Sequence, residues 1–329
     1  MIGVAVLGAG RIGKIHARNV ALNPRCRLVA VADPMKEAAA ALAGALGAEA
    51  MTDARAAIAR PDVQAIVVGT PTDTHVDFTL DAARRGKAVL CEKPIDLDIK
   101  KADAAVAEIE KLGAKVMIAF NRRFDPSAQA LKKAIDAGAI GDVHQVIITS
   151  RDPSPPPATY TNSGGIFRDM TIHDFDMARF LLGEEPVAVV ASASCLVDPE
   201  IGKSGDFDTL MVILTTKSGR QCHINNSRKA VYGYDQRFEV FGSAGMLMND
   251  NLRATTLRGY TESQTEIRDP LLNFFLERYD AAYRIELDAF IDAVADNRPM
   301  PVTARDGRQA LRLADAALES ATTGRAVKV

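Results

Sequence analysis

The sequence predicts an α/β protein, with a doubly wound parallel sheet in its N-terminal part and a C-terminal domain built on an open, mostly antiparallel sheet with helices. Three observations lead there. The chain has 329 residues, more than one hydrophobic core usually serves, so two domains are expected. Through the first third, short β-rich runs alternate with Ala-rich helical stretches, the rhythm of parallel strands covered by crossover helices. After about residue 120 that rhythm stops, and β-rich runs follow one another through short polar or Gly-containing turns, as in an antiparallel sheet.

Taken in order, strands are predicted at 3–7, 28–32, 65–68, 88–91 and 115–119, and helices at 12–22, 36–46, 53–58, 74–85 and 100–111. The first domain is therefore set at 1–120 and the second at 121–329. A helix at 127–137 and another over RDMTIHDFDMARFLLG (168–183) open the second domain. VAVVASASCLV, TLMVILTTKSG, RQCHINNSRKA and QRFEVFGSAGMLM then read as successive strands. Helical periodicity returns at 273–295 and 304–320, and the last helix is expected to pack back on the first domain. SPPP, at 154–157, reads as a rigid loop.

Composition narrows the partners. With 40 basic against 42 acidic residues the chain carries no broad field for nucleic acid or an anionic membrane, which favours a small-molecule partner. No apolar run reaches the length of a membrane span, and MIGVAVLGAGRIG lacks the basic flank and cleavage site of a signal peptide, so a cytoplasmic protein is expected. Cys26, Cys91, Cys195 and Cys222 lie far apart with no CxxC pair. That argues for reduced, buried thiols rather than a zinc cluster or a disulfide framework.

GAGRIG follows an apolar strand and opens a helix, and an acid, Asp33, ends the second strand about 20 residues on. This is the Rossmann dinucleotide fingerprint in its proper context. Gly8 permits the tight turn, Gly10 lets backbone approach a pyrophosphate, and Gly13 lets helix and strand pack closely, with Arg11 and Ile12 at the helix start. Asp33 would take the adenosine ribose hydroxyls and would repel a 2′-phosphate, which favours NAD over NADP. Two later loops lie where an open α/β sheet places its ligands: GTPTDTH, with Thr70, Pro71 and His75, and CEKPI, with Glu92 and Lys93. Lys93 stands at the end of a buried strand, where a lysine loses its charge easily; the plainer alternative is an ion pair with Glu92 or a loop acid.

The helix at 168–183 is apolar around most of its circumference yet carries Asp169, His173 and Asp176. At about 100° per residue these three fall on one narrow arc. They can serve as simple helix support, as three ligands of a metal, or as a proton-handling surface. A cationic Lys93 and the nucleotide fingerprint disfavour the metal, so none is expected.

GxGxxG at the N-terminus, EKP after the strand at 88–91 and GGIFRDMTIHDFDMARFL together resemble the glucose-fructose oxidoreductase, inositol dehydrogenase and rhizopine catabolism family over essentially the whole chain. SRDPSPPP, YGYDQRFEVFGSAGM and FFLERY are similar to its members that oxidise inositol at C2. The resemblance implies a catalytic group of Lys93, Asp169 and His173, with Asp176 on the substrate side. Chemistry agrees: oxidising an alcohol sends a hydride from carbon to NAD and a proton from oxygen to a base. His173 suits the base by its ordinary pKa, Asp169 can hold the ring, and Lys93 can bind the reacting oxygen.

Asn121 and Arg122, in FNRRFD after the strand at 115–119, should approach the nicotinamide or the ring of a small cyclic polyol. Tyr232 and Tyr234 lie in the family's substrate-side loop. Two departures stand out: several inositol dehydrogenases have methionine where this chain has Asn121, and this chain has no tryptophan, unlike some relatives. The implied reaction is myo-inositol to 2-keto-myo-inositol, in a homo-oligomer, a tetramer. Alternatives are oxidation of another cyclic polyol or aldose (scyllo-inositol, glucose) and a non-catalytic NAD-binding redox sensor, against which the retained Lys93, Asp169 and His173 argue.

Overall fold

The computed structural model describes residues 1–156 and 164–329. Pro157 of the SPPP loop and Ser163, next to GGIFRDM, lie outside the described residues. The chain forms two compact units: Met1–Phe124 with Ala282–Leu311, and Asp125–Ala281 with Arg312–Val329. Residues 282–311 thus group with the first unit although they follow most of the second in sequence.

The first unit begins with β1 (Ile2–Leu7), α1 (Arg11–Leu22), β2 (Cys26–Ala32), α2 (Lys36–Leu46), β3 (Glu49–Met51) and α3 (Ala54–Ala59). It continues with β4 (Ala65–Val68), α4 (His75–Arg84), β5 (Ala88–Glu92), α5 (Ile99–Leu112) and β6 (Val116–Ala119). The sheet is parallel, in the order β3-β2-β1-β4-β5-β6. Its direction of winding reverses between β1 and β4, where such sheets place a nucleotide. Strands covered on both faces read as continuous apolar runs, and Val4 to Leu7 and Ala65 to Val68 have no exposed surface. β3 was not predicted, because Glu49–Met51 is three residues long and none of them is buried, without an apolar alternation to betray it. On the other edge, β6 is covered by a later part of the chain: Ile118 N–H donates to Val302 O at 3.2 Å, and Met117 bridges Thr303.

The second unit contains α6 (Pro126–Asp136), β7 (Val143–Arg151), α7 (Gly165–Asp169), α8 (Thr171–Leu182), β8 (Pro186–Ser194), α9 (Pro199–Lys203), β9 (Thr209–Thr216) and β10 (Gln221–Ser227). After these come β11 (Asp235–Gly242), β12 (Gly245–Met248), the two-residue strands β13 (Arg258–Gly259) and β14 (Ile267–Arg268), and α10 (Phe275–Arg278). α11 (Asp280–Ala295) and α12 (Ala304–Thr323) each run from one unit into the other, and β15 (Val327–Lys328) closes the chain. The large sheet has the order β12-β11-β7-β10-β9-β8-β15, antiparallel except for the β7 and β10 pair. β7, an interior strand between β11 and β10, was not among the predicted ones: His144 and Gln145 stand together and blur the alternation.

α8 lies on β7 and β10, over the buried side of the sheet made by residues such as Val146, Ile148, Leu210, Val212, Ile224 and Phe238. The opposite side carries exposed Ile147, Val190, Met211, Ile213, Phe241, Met246 and Met248. Among the described residues, no helix is long and apolar enough to cross a membrane.

The helix predicted as continuous over 168–183 is broken at Met170, which ends α7 and starts α8 with φ −97° and ψ −58°. The cause is local. Thr171 Oγ1 donates to Asn226 Oδ1 at 2.7 Å and reaches Ile166 O at 3.2 Å, a hydroxyl competing with the helical ladder. Asp169 therefore belongs to one short helix and His173 and Asp176 to the next.

Candidate active site

Sterics shape the glycine turn. Gly8 has φ +97°, a left-handed value that suits glycine. A side chain on Gly8 would meet Gly69 O at 2.4 Å, and one on Gly13 would meet Gly8 O at 2.0 Å, so α1 can start against β1 only with both glycines. At Gly10 nothing lies within 4 Å of where a side chain would stand. No side chain caps the first turn of α1 among the described residues, leaving an open, donor-rich helix start of the kind that receives a pyrophosphate. Arg11 is exposed and Ile12 half-buried at that start.

Asp33 stands beside the same turn. Its Oδ2 accepts from Ala9 N–H at 2.7 Å and its Oδ1 from Met35 N–H at 2.9 Å. Two backbone donors thus hold a half-buried carboxylate at the end of β2, where adenosine ribose hydroxyls are taken. These residues fit NAD.

The two later loops are tied to each other. His75 is 1% exposed, and its ring nitrogens lie 2.7 Å from Pro94 O and 2.9 Å from Thr70 O. It joins the loops rather than offering a surface to a ligand. Thr70 Oγ1 is 2.7 Å from Thr74 Oγ1, whose hydroxyl donates to Pro71 O at 2.7 Å, so the GTPTDTH loop holds its own shape.

Glu92, expected to bind cofactor, turns inward: its Oε1 is 2.7 Å from Nε2 of the fully buried His16, and its Oε2 accepts from Lys93 N–H at 3.2 Å. Lys93 itself is half-buried, and its peptide with Pro94 is cis. Asn121 and Arg122 are buried in a 3₁₀ turn directly after β6. His16 carried no signal, since a lone histidine in a helix is ordinary packing and its partner is 76 residues away.

In the second unit Asp169 Oδ2 accepts from Arg228 Nη1 at 3.1 Å, and Arg228 is 4% exposed. Arg228 was missed by sequence reasoning; its only signal was a cation directly after the apolar alternation of β10. His173 lies in the first turn of α8 and is half-buried. Asp176, expected on the substrate side, instead has no exposed surface, and its Oδ1 stands 3.5 Å from Arg179 Nη1. Tyr232 is exposed and donates from its hydroxyl to Asp235 Oδ2 at 2.7 Å while accepting from Arg151 Nη1 at 2.7 Å. Tyr234 is a core aromatic, packed edge-on against Phe274 and Tyr279. Among the described residues, no group of three or more His, Cys, Asp or Glu is arranged to hold a metal. All four cysteines are free thiols; burial pushes the Cys91 thiol up to about 12.

A Rossmann sheet with an open glycine turn and an acid anchored at the end of its second strand, in a chain whose second unit bears Asp169 and His173 on successive helices, defines the class of NAD-dependent oxidoreductases. Residues 2–120 match the oxidoreductase family, NAD-binding Rossmann fold, and residues 132–329 match the oxidoreductase family, C-terminal alpha/beta domain. The chain belongs to this family, the one its motifs resemble. It is 52% identical to an inositol 2-dehydrogenase of Rhizobium meliloti (strain 1021), with 98% of each chain covered. Among solved structures it superposes on a myo-inositol dehydrogenase from Corynebacterium glutamicum ATCC 13032 with a TM-score of 0.97, at 49% identity over 100% of this chain and 99% of that one. A scyllo-inositol dehydrogenase from Lactobacillus casei, solved with bound NAD(H) and scyllo-inositol, matches with a TM-score of 0.93 at 29% identity, over 100% of this chain and 99% of that one.

Proposed function

We propose that this chain is an inositol 2-dehydrogenase. It oxidises the C2 hydroxyl of myo-inositol to the ketone, and the products are 2-keto-myo-inositol (scyllo-inosose), NADH and a proton. The observation that carries the reading is the 52% identity to an inositol 2-dehydrogenase over nearly the full length of both chains. The hydride acceptor is supplied by NAD when it is bound.

The chain's own residues handle the rest. Gly8, Gly10, Gly13 and Asp33 bind the adenosine and pyrophosphate half, with Thr70 and Pro71 on the following loop. His173 takes the hydroxyl proton, Asp169 orients and stabilises the resulting imidazolium, and Lys93 hydrogen-bonds the reacting oxygen as negative charge develops on it. Asn121, Arg122 and Tyr232 contact the polyol. The chain works in the cytoplasm as a homotetramer, the exposed apolar side of the large sheet supporting an assembly of copies.

Initial rates of NADH formation on a panel of myo-inositol, scyllo-inositol and glucose test the reading. The highest kcat/KM is expected with myo-inositol. A higher value for scyllo-inositol or glucose replaces the substrate, and no NADH from any polyol leaves a nucleotide-binding sensor.

A further inference from the structure

Arg228 directly follows β10, and its place is fixed from several sides. Its backbone N–H donates to Asp208 O at 2.8 Å. Its guanidinium is 4% exposed and lies between two carboxylates, Nη1 standing 3.1 Å from Asp169 Oδ2 and 3.6 Å from Asp152 Oδ2. Asp152 is held in turn: its N–H donates to Ser227 O at 2.9 Å, and its carbonyl accepts from Ala230 N–H at 2.7 Å.

Two residues before Arg228, Asn226 grips the other side of the break at Met170. Its Nδ2 donates to Asp174 Oδ2 at 2.8 Å and to Ser150 O at 3.2 Å, and its Oδ1 accepts from Thr171 Oγ1. The end of one strand therefore holds both the last residue of α7 and the first turn of α8. A cation buried between two acids is a costly arrangement unless it fixes a geometry, and charge-assisted bonds of this kind are directional.

We propose that Arg228 is a positioning residue of the oxidation: its buried guanidinium, held against Asp152, sets where the Asp169 carboxylate stands relative to the helix that carries His173. Neither the family resemblance nor the motif at 168–183 points to it. The inference rests on the proposed catalytic roles of Asp169 and His173. It requires that Arg228 act through Asp169 and not by itself.

The test is a double-mutant cycle on the full chain with NAD and myo-inositol, using Arg228→Met, Arg228→Lys and Asp169→Asn. Arg228→Met is expected to lower kcat roughly tenfold to a hundredfold, the usual effect of a displaced catalytic group, while KM for NAD stays within about twofold. Arg228→Lys, which keeps the charge and protects the fold if Arg228→Met is unstable, should recover part of that kcat and still fall below the parent. In an Asp169→Asn background neither Arg228 variant should cost anything further. Arg228 variants with the parent kcat, or with the same fractional loss in both backgrounds, overturn the inference. The Asp169→Asn variant alone reports separately on the catalytic reading: full turnover there sinks that reading together with the inference built on it.

Discussion

Glu286 shows what burial does to a single side chain. It has no exposed surface, and neither carboxyl oxygen has a hydrogen-bond partner among the described residues. Desolvation, and after it the charge of Glu92, pushes its pKa well above the usual carboxylate range. Above the ordinary glutamate value of about 4.3 the unfolded chain has lost a proton that the folded chain keeps, so stability falls as pH rises toward the raised folded value. Glu286→Gln keeps the shape and abolishes the titration. Its stability advantage over the parent should grow with pH, by about 1.4 kcal/mol per unit while only the unfolded parent ionises. Urea unfolding from pH 4.5 to 8 measures it, and parallel pH profiles for the two proteins contradict it. For the chemistry, His173→Ala should lower turnover roughly a hundredfold to ten-thousandfold, with NAD affinity nearly unchanged because the proposed adenosine site at Gly10 and Asp33 is untouched. Near-parent turnover, or a defect explained by lost NAD binding, rules out His173 as the base. Asp33 and the three glycines were legible because a motif fixes their spacing; Arg228 and the His16 and Glu92 pair were not, because each partner comes from a distant strand or helix.

At the scale of elements, the glycine turn separates packing from ligand binding. A methyl on Gly13 would run into Gly8 O at 2.0 Å, so Gly13→Ala must push α1 off its strand. The expected cost is about 1–3 kcal/mol, visible as a lower melting temperature without any ligand. Gly10 has φ −72° and open space around it, so Gly10→Ala should melt like the parent yet bind NAD at least tenfold more weakly. Unchanged NAD affinity in Gly10→Ala, measured by fluorescence titration, removes the pyrophosphate from that space. Most helices and parallel strands of the first unit were legible from their apolar periods. β7 and the break at Met170 were not: polar residues disturb the period of β7, and the break depends on Asn226, which no local pattern around 170 can show.

For the molecule as a whole, the exposed apolar side of the large sheet supports the proposed assembly of copies. Val190, Ile213, Ile147 and Met248 lie in one cross-strand row, with His223 and Glu239 as the polar members between them. Ile213→Asp places a charge in that row and should convert the proposed tetramer to smaller species in sedimentation velocity while the far-ultraviolet spectrum stays that of the parent. A parent protein that sediments as a monomer contradicts the assembly. The covering of β6 has its own outcome during synthesis. The ribosome completes Val116–Ala119 long before it reaches Val302 and Thr303, a delay of roughly ten to forty seconds at about 5–20 residues per second. Throughout that interval the nascent nucleotide-binding sheet has a bare edge, so this is where a chaperone has its longest opportunity to bind and where a chain cut short before residue 302 is most exposed to aggregation.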